Sequence, residues 1–324
     1  MSFFHSVSIG NVKLEGNLFL APMAGYTDRA YRSLCLENGA FLAYTEMVSA
    51  EGLARNNEPT KDLAVRAYNE ENLAVQLFGP DEDTMARCVD VVMKYNPQII
   101  DINCGCPVPK VTRTGAGSSL MKTPDVIGRM VRVLEKETGL PVTVKIRTGW
   151  DSRSMNYLEC AAQAFDAGAA AVCMHARTKA QLYTPTAHWE YLADLKKNFP
   201  DRVIIGSGDL FTARDALAMF EQTGVDAVSF ARGAIGNPFI FRETRQLLET
   251  GDFEEPSTET KVEAMMTHLH RLCELIGENR ACREMRKHVS QYLKGIPGSV
   301  KVKRITSQAV TIAEYADALR LIEY

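Results

Sequence analysis

A chain of 324 residues, 46% hydrophobic and 24% charged with a net charge of −3, has the length of one α/β barrel plus a smaller domain and is expected to bury a large core. No stretch reaches the roughly 18 apolar residues that cross a bilayer, and the start, Met1 to Ser6, has neither a basic nor a long apolar region, so membrane insertion and export are excluded as expectations. The cysteines at 35, 88, 104, 106, 160, 173, 273 and 282 follow no disulfide spacing, which points to reduced thiols and a cytoplasmic protein.

Short apolar runs alternate with helical stretches along the chain. The first strand is read at 18–22 and the helix after it at 28–37. Strands follow at 41–48, 73–78, 99–103, 142–146, 170–175, 202–206 and 226–230. Helices with apolar spacing fill the gaps, as at 83–95, 125–137 and 212–223, the last with Thr212 as its N-cap. Strands buried on both faces read as continuous Val/Ile/Leu runs, and these do. Eight such units predict a (β/α)8 TIM barrel rather than a doubly wound sheet. Strand signals stop near residue 250. Residues 251–257 read as a linker and 258–324 as helices, so a catalytic barrel domain over 1–250 is expected, followed by a smaller all-helical domain over 251–324.

Charge is distributed unevenly. Residues 280–304 carry eight Lys/Arg against the single acid Glu284, so this segment is +7 and the rest of the chain −10. An acidic body with one basic patch suggests a polyanionic partner, although a solvated helix face would also explain it.

In a barrel, chemistry gathers where the strands end. Those ends supply Pro22, Met23 and Ala24, then Gln76, then Asn103 with Cys106, Lys145 with Arg147, and His175 with Arg177. The last two strands add Ser207-Gly208-Asp209 and Ala231-Arg232-Gly233, in the loops where barrels often bind phosphate through backbone N–H groups. Any one of these has a structural explanation, as a core polar residue or a turn glycine. Lys145 suits developing negative charge, such as that of a reduced flavin or an enolate. Gln76 and Asn103 carry the paired donors and acceptors that read an amide-rich ring. No GxGxxG follows the first strand, so a Rossmann site is not supported.

Cys106 stands on the tight turn Asn103-Cys-Gly-Cys-Pro-Val-Pro-Lys110. Cys104-x-Cys106 without a second Cys/His pair falls short of a metal site, and no metal is expected. A thiolate nucleophile would need a base, for which His175 is available. A general acid needs a protonated thiol, which the ordinary thiol pKa provides. Cys104 is expected to be its half-buried neighbour.

The ordered set Leu20-Ala-Pro-Met-Ala-Gly25, Val75-Gln-Leu-Phe-Gly79, Asp101-Ile-Asn-Cys-Gly-Cys-Pro107, Gly115 to Leu120, Lys145-Ile-Arg147, His175-Ala-Arg-Thr178, Gly206-Ser-Gly-Asp209, Ala231 to Pro238 and Arg286-Lys-His288 resembles the tRNA-dihydrouridine synthases of bacteria, from about residue 8 to 305. The resemblance implies an FMN enzyme that reduces the C5=C6 bond of uridine in tRNA, with NADPH as electron donor and no obligate protein partner. It implies Cys106 as catalytic acid. FMN contacts then fall on Pro22, Met23, Ala24, Gln76, Lys145, His175, Ser207, Gly208, Asp209, Ala231 and Arg232. Asn103, Lys145 and Arg147 face the uracil. Arg283, Arg286 and Lys287 lie at helical spacing and would meet tRNA phosphates. Two departures stand out: the family usually has Asn at Ser207 and Gly at Ala231, and the serine cannot reproduce an amide contact. The rival reading is an FMN barrel acting on a free pyrimidine, as dihydroorotate or dihydropyrimidine dehydrogenases do, which would not need the basic helical tail.

Overall fold

The computed structural model describes residues 3–322, so Met1, Ser2, Glu323 and Tyr324, which the two expected domains include, lie outside the described residues. A hairpin of β1 (Val7–Ile9) and β2 (Val12–Leu14) precedes the barrel. The barrel strands are β3 (Leu18–Leu20), β4 (Leu42–Tyr44), β6 (Leu73–Phe78), β7 (Ile99–Asn103), β8 (Val142–Arg147), β9 (Ala171–His175), β10 (Val203–Ser207) and β11 (Ala227–Phe230). All pair in parallel, and the contacts of β4 with β6 and of β11 with β3 close the cylinder. The expected eightfold beat is therefore borne out.

The strand expected over 41–48 is two pieces, β4 and the two-residue β5 (Val48–Ser49), which pairs with the end of β6. Thr45 divides them. Its hydroxyl takes the Gln76 backbone N–H at 3.1 Å, so a side chain replaces the ladder's carbonyl and the chain turns away.

Helices wrap the cylinder in order: α1 (Arg29–Glu37), α2 (Ala50–Ala54), α3 (Glu58–Asp62), α4 (Glu82–Val92), α5 (Pro109–Thr112), α6 (Pro124–Thr138), α7 (Tyr157–Asp166), α8 (Glu190–Asn198), α9 (Ala213–Thr223) and α10 (Ile240–Thr250). Local chemistry sets their ends. Asp28 caps α1 by accepting from Ala30 and Tyr31, and Thr212 with Asp215 forms a capping box on α9. The helix expected over 83–95 stops at Val92, and its last turn tightens to a 3₁₀ turn ending at Asn96 in the left-handed region.

Side-chain alternation grades the barrel interior from apolar to polar. The first inward residues, Phe19, Leu42, Ala74, Ile99, Ala171, Ile205 and Ala227, pack with Val7, Ile9 and Leu14, so the hairpin plugs the amino end. Further along, inward positions include Gln76, Asp101, Thr143 and Ser229, and the strand ends beyond them carry Asn103, Lys145, Arg147, His175, Ser207 and Ala231. Period-2 geometry thus delivers polar side chains to the carboxyl end and keeps the opposite end dry.

Four further helices follow: α11 (Thr258–Ile276), α12 (Glu278–Tyr292), α13 (Ser299–Thr306) and α14 (Ile312–Leu319). Their apolar residues, among them Met265, Leu269, Met285 and Val289, join one continuous core with the helices around the barrel. Arg271 of α11 fixes the outer edge of this seam, donating to Glu37 at 2.9 Å through each of two nitrogens and to Ser33 Oγ at 2.9 Å. Among the described residues, no helix is long and apolar enough to cross a membrane.

Candidate active site

A cavity of about 480 Å³ opens at the carboxyl end of the barrel. One wall is Pro22, Met23 and Ala24 with Tyr26. The other is Asn103, Cys106, Lys145, Arg147 and His175, with Ser207, Gly208, Asp209, Ala231 and Arg232 closing the far side. Of the residues expected at the strand ends, Gln76 and Arg177 are absent from this lining: Gln76 lies fully buried one level deeper, and Arg177 is buried against His175 and Asp209.

The Cys106 turn is held from three sides. Asn103 Oδ1 accepts from the backbone N–H of Cys106 at 2.9 Å and of Gly105 at 3.3 Å. Arg147 Nε donates to the Gly105 carbonyl at 2.8 Å. Ser118 donates to the Cys106 carbonyl through its backbone at 3.0 Å and its hydroxyl at 2.9 Å. The thiol is half-buried, and burial raises its pKa against the lowering pull of the Val108 N–H and the Arg147 charge. It is therefore protonated at neutral pH, the state a general acid needs. Cys104 is fully buried rather than half-buried. The strand's alternation continues one residue past Asn103 and turns its side chain outward into the layer of Cys160 and Met121.

Arg147 is nearly buried. Its Nη1 spans the carbonyls of Thr178 and Leu182 at 2.9 and 3.1 Å, so this cation ties the cysteine turn to the loop after β9. Burial lowers its pKa to about 10, which leaves it charged at neutral pH. Lys145 points into the cavity with no ion pair among the described residues.

Burial, together with the cations of Arg147, Lys145, Arg177 and Arg232, pushes the His175 imidazole well below its usual range, so the ring is neutral. Its Nε2 lies 3.1 Å from Arg177 Nη1. A guanidinium can only donate, so Nε2 accepts and the ring proton sits on Nδ1. The Asp209 carboxylate accepts from Arg177 Nη2 at 2.5 Å, Arg232 Nη2 at 3.1 Å and the Ala187 N–H at 2.7 Å. It positions cations rather than presenting a free carboxylate. Arg232 is half-exposed, with its guanidinium 4.3 Å from the Tyr183 ring centroid and 5.1 Å from that of Phe211.

The two departures at Ser207 and Ala231 have different consequences. Ser207 Oγ donates to the Ser229 carbonyl at 3.0 Å, so its hydroxyl is spent within the barrel. Ala231 has φ −110° and ψ −104°, so no left-handed backbone calls for glycine at this position.

The basic residues of the tail divide. Arg283 is exposed. Lys287 pairs with Glu284 at 2.6 Å and leans over Tyr26, and its Nζ comes within 3.8 Å of where a Cβ on Gly25 would lie. Arg286 turns inward and donates to the Ala309 carbonyl at 3.1 Å. Helix α12 thus abuts the cavity lip, where the Gly25 N–H donates to Glu46, a carboxylate whose pKa burial raises.

A family model described as "Dihydrouridine synthase (Dus)" matches residues 19–323. The chain belongs to that family. It is 42% identical over 328 residues to a "Probable tRNA-dihydrouridine synthase" of Treponema pallidum, covering 98% of this chain and 96% of that protein. It is 37% identical to the "tRNA-dihydrouridine synthase B" of Pasteurella multocida, covering 89% and 87%. Among solved structures, a histamine dehydrogenase from Rhizobium sp. 4-9 superposes with a TM-score of 0.59 at 12% identity, over 83% of this chain and half of that one. A 2-naphthoyl-CoA reductase does so with 0.58 at 11%, over 74% of this chain and 51% of that one. These two show the shared barrel alone.

Tyr26, Tyr183 and Phe211 complete the lining, and Arg177 stands behind it on His175 and Asp209. Arg177 stood at a strand end beside His175, which was the available signal. The three aromatic residues lie in loops, where no periodicity marks them.

Proposed function

We propose that this protein reduces the C5=C6 bond of particular uridines in tRNA to give dihydrouridine, using FMN with electrons from NADPH. The observation that carries the reading is the contact of α12 with the cavity lip. It sets the basic segment beside the opening, which suits a nucleotide presented on a polyanionic chain rather than a free pyrimidine.

The residues present fit FMN. The cavity falls within the usual range for ligand sites, about 300–1,000 Å³. Arg232 keeps two of its guanidinium nitrogens for a phosphate, and Gly208 lets the backbone approach closely beside it. The neutral His175 offers an Nδ1 donor, and Lys145 an unpaired cation for the electron-rich edge of a reduced ring. Pro22, Met23 and Ala24 supply an apolar face. Asp209 contributes through the cations it fixes, and Gln76, one level below the lining, through its hold on Asn103. When bound, reduced FMN supplies the hydride for uracil C6.

The chain's own residues do the rest. Arg147 and Asn103 hold the turn that carries Cys106, and the Cys106 thiol gives its proton to C5. Lys145 stabilises the negative charge that develops on the conjugated carbonyl. Arg283 and Lys287 meet phosphates on the tRNA. Arg286 would need to leave the Ala309 carbonyl to join them, so it serves first to hold α12. The test is Cys106→Ala. The variant should keep its yellow flavin and lose about 10²- to 10⁴-fold in turnover on unmodified tRNA. Full turnover would remove the thiol from this role.

A further inference from the structure

One buried group beneath the cavity is not accounted for by flavin or uracil contacts. Asp101, on β7, points inward one level below Asn103 and is 1% exposed. Its Oδ2 accepts from Gln76 Nε2 at 2.6 Å and its Oδ1 from Thr143 Oγ1 at 2.6 Å. Gln76 Oε1 accepts from Asn103 Nδ2 at 2.8 Å, and Asn103 Oδ1 accepts from the Cys106 N–H at 2.9 Å.

The polarity of this chain is forced at both ends. A backbone N–H can only donate, so Asn103 must turn its oxygen to Cys106 and its amino group to Gln76. Gln76 must then present its oxygen to Asn103 and its amino group downward. The group below must accept, and an ionised carboxylate is the acceptor that cannot reverse. If the bottom group donated instead, both amides would flip and a nitrogen would face the Cys106 N–H. The barrel encloses every member, with Gln76 and Thr143 at 0% exposure and Asn103 at 5%, so no water is at hand to repair a reversed link.

We propose that Asp101 is a positioning residue for Cys106, fixing through the Gln76 and Asn103 amides the turn from which the thiol reaches the cavity. The inference rests on the reading of Cys106 as proton donor. The amides are thereby oriented before substrate arrives, and Asp101 itself touches neither cofactor nor uracil. Thr143 contributes by filling the second carboxylate oxygen, which leaves Oδ2 to Gln76.

The test reads the thiol directly. Wild type, Asp101→Leu and Asp101→Asn are alkylated with iodoacetamide, and modification is followed cysteine by cysteine after digestion. Leucine removes the lower anchor and leaves the buried Gln76 amino group without its acceptor, so the amides are held from one end only and Cys106 should be alkylated at least fivefold faster. The fully buried Cys88 and Cys104 in the same sample should stay as protected as in wild type, which separates a released turn from a loosened fold. Asparagine can still offer its oxygen to Gln76 while its amino group donates to Thr143 Oγ1, so it should restore the slow rate. In turnover on tRNA, Asp101→Leu should lower kcat by about tenfold or more with KM unchanged, because the surface that binds RNA is untouched. If Asp101→Leu fails to fold, Gln76→Met cuts the next link and should speed Cys106 alkylation in the same way. Unchanged alkylation of Cys106 in a folded Asp101→Leu or Gln76→Met, or an asparagine variant that behaves like leucine, overturns the proposal. Because alkylation does not depend on the reaction catalysed, failure here is distinct from failure of the functional reading, which Cys106→Ala addresses.

Discussion

Lowering the pH should weaken the seam between barrel and C-terminal helices through a pair of buried histidines. His268 of α11 and His288 of α12 meet edge to face, with centroids 4.6 Å apart, among Tyr26, Tyr31 and Tyr292. His288 has no hydrogen-bond partner on either ring nitrogen among the described residues, and His268 has none on Nε2. Burial, with the cations of Lys287 and Arg271 and against the pull of Asp28, lowers His268 to about 4. Burial and the neighbouring His268 lower His288 well below the usual range. An unfolded imidazole titrates near 6.5, so as pH falls the unfolded chain takes up the proton first. The stability tied to the neutral ring is fully present above about pH 6.5 and is lost on the way down to about 4. Between about pH 7.5 and about pH 5, His268 alone accounts for a loss of about 2 kcal/mol, since each tenfold difference in proton affinity between folded and unfolded chain is worth about 1.4 kcal/mol. His288 adds in the same direction. Urea unfolding of wild type and His268→Phe at both pH values isolates this contribution, because carboxylate effects cancel in the comparison. Wild type should lose about 2 kcal/mol more than the variant over the interval. Equal losses would refute the assignment of a neutral buried ring.

Other perturbations probe the cavity and the tail. Gly208 has φ +117°, and an added Cβ would lie 2.9 Å from His175 Cδ2 and 3.0 Å from the Ala187 Cβ, so Gly208→Ala should displace His175 and lower the flavin content of the purified protein, read from its visible absorbance. Arg177→Leu strips Asp209 of its closest cation and should cost about 3 kcal/mol in thermal unfolding, the low end for a broken buried pair because Asp209 is partly open to solvent. Arg177→Lys should not restore it, since one ammonium cannot reach the Pro185 carbonyl, His175 and Asp209 together. Arg283→Ala and Lys287→Ala should each reduce the salt dependence of tRNA binding by about one unit of log–log slope, without altering which uridine is reduced.

The barrel was legible because its strands are short apolar runs between well-capped helices, and the structure moves their ends by only a residue or two. Strand 41–48 was misread because Thr45 looks like any β-former, and only its tertiary bond to the Gln76 N–H shows that it breaks the ladder. The plugging hairpin went unread because each of its strands has three residues, too few for alternation to register. At the site, strand ends named most of the cavity lining, since parallel register carries them to one rim. The grip of Arg177 on Asp209 was not legible. The residues are 32 apart in sequence, and only the pairing of β9 with β10 brings them together. Cys104 and Cys106 are chemically alike in the sequence. The half-turn between strand and loop buries the first and opens the second.

The central claim is that this cavity reduces a uridine carried by tRNA. The most direct measurement mixes protein whose flavin has been reduced beforehand, without oxygen, with either an unmodified tRNA transcript or free uridine and orotate. Flavin colour and dihydrouridine are then followed together. The account predicts one dihydrouridine formed for each flavin reoxidised by the tRNA, with the free pyrimidines leaving the flavin reduced. Flavin that stays reduced with tRNA and is reoxidised by a free pyrimidine would contradict it.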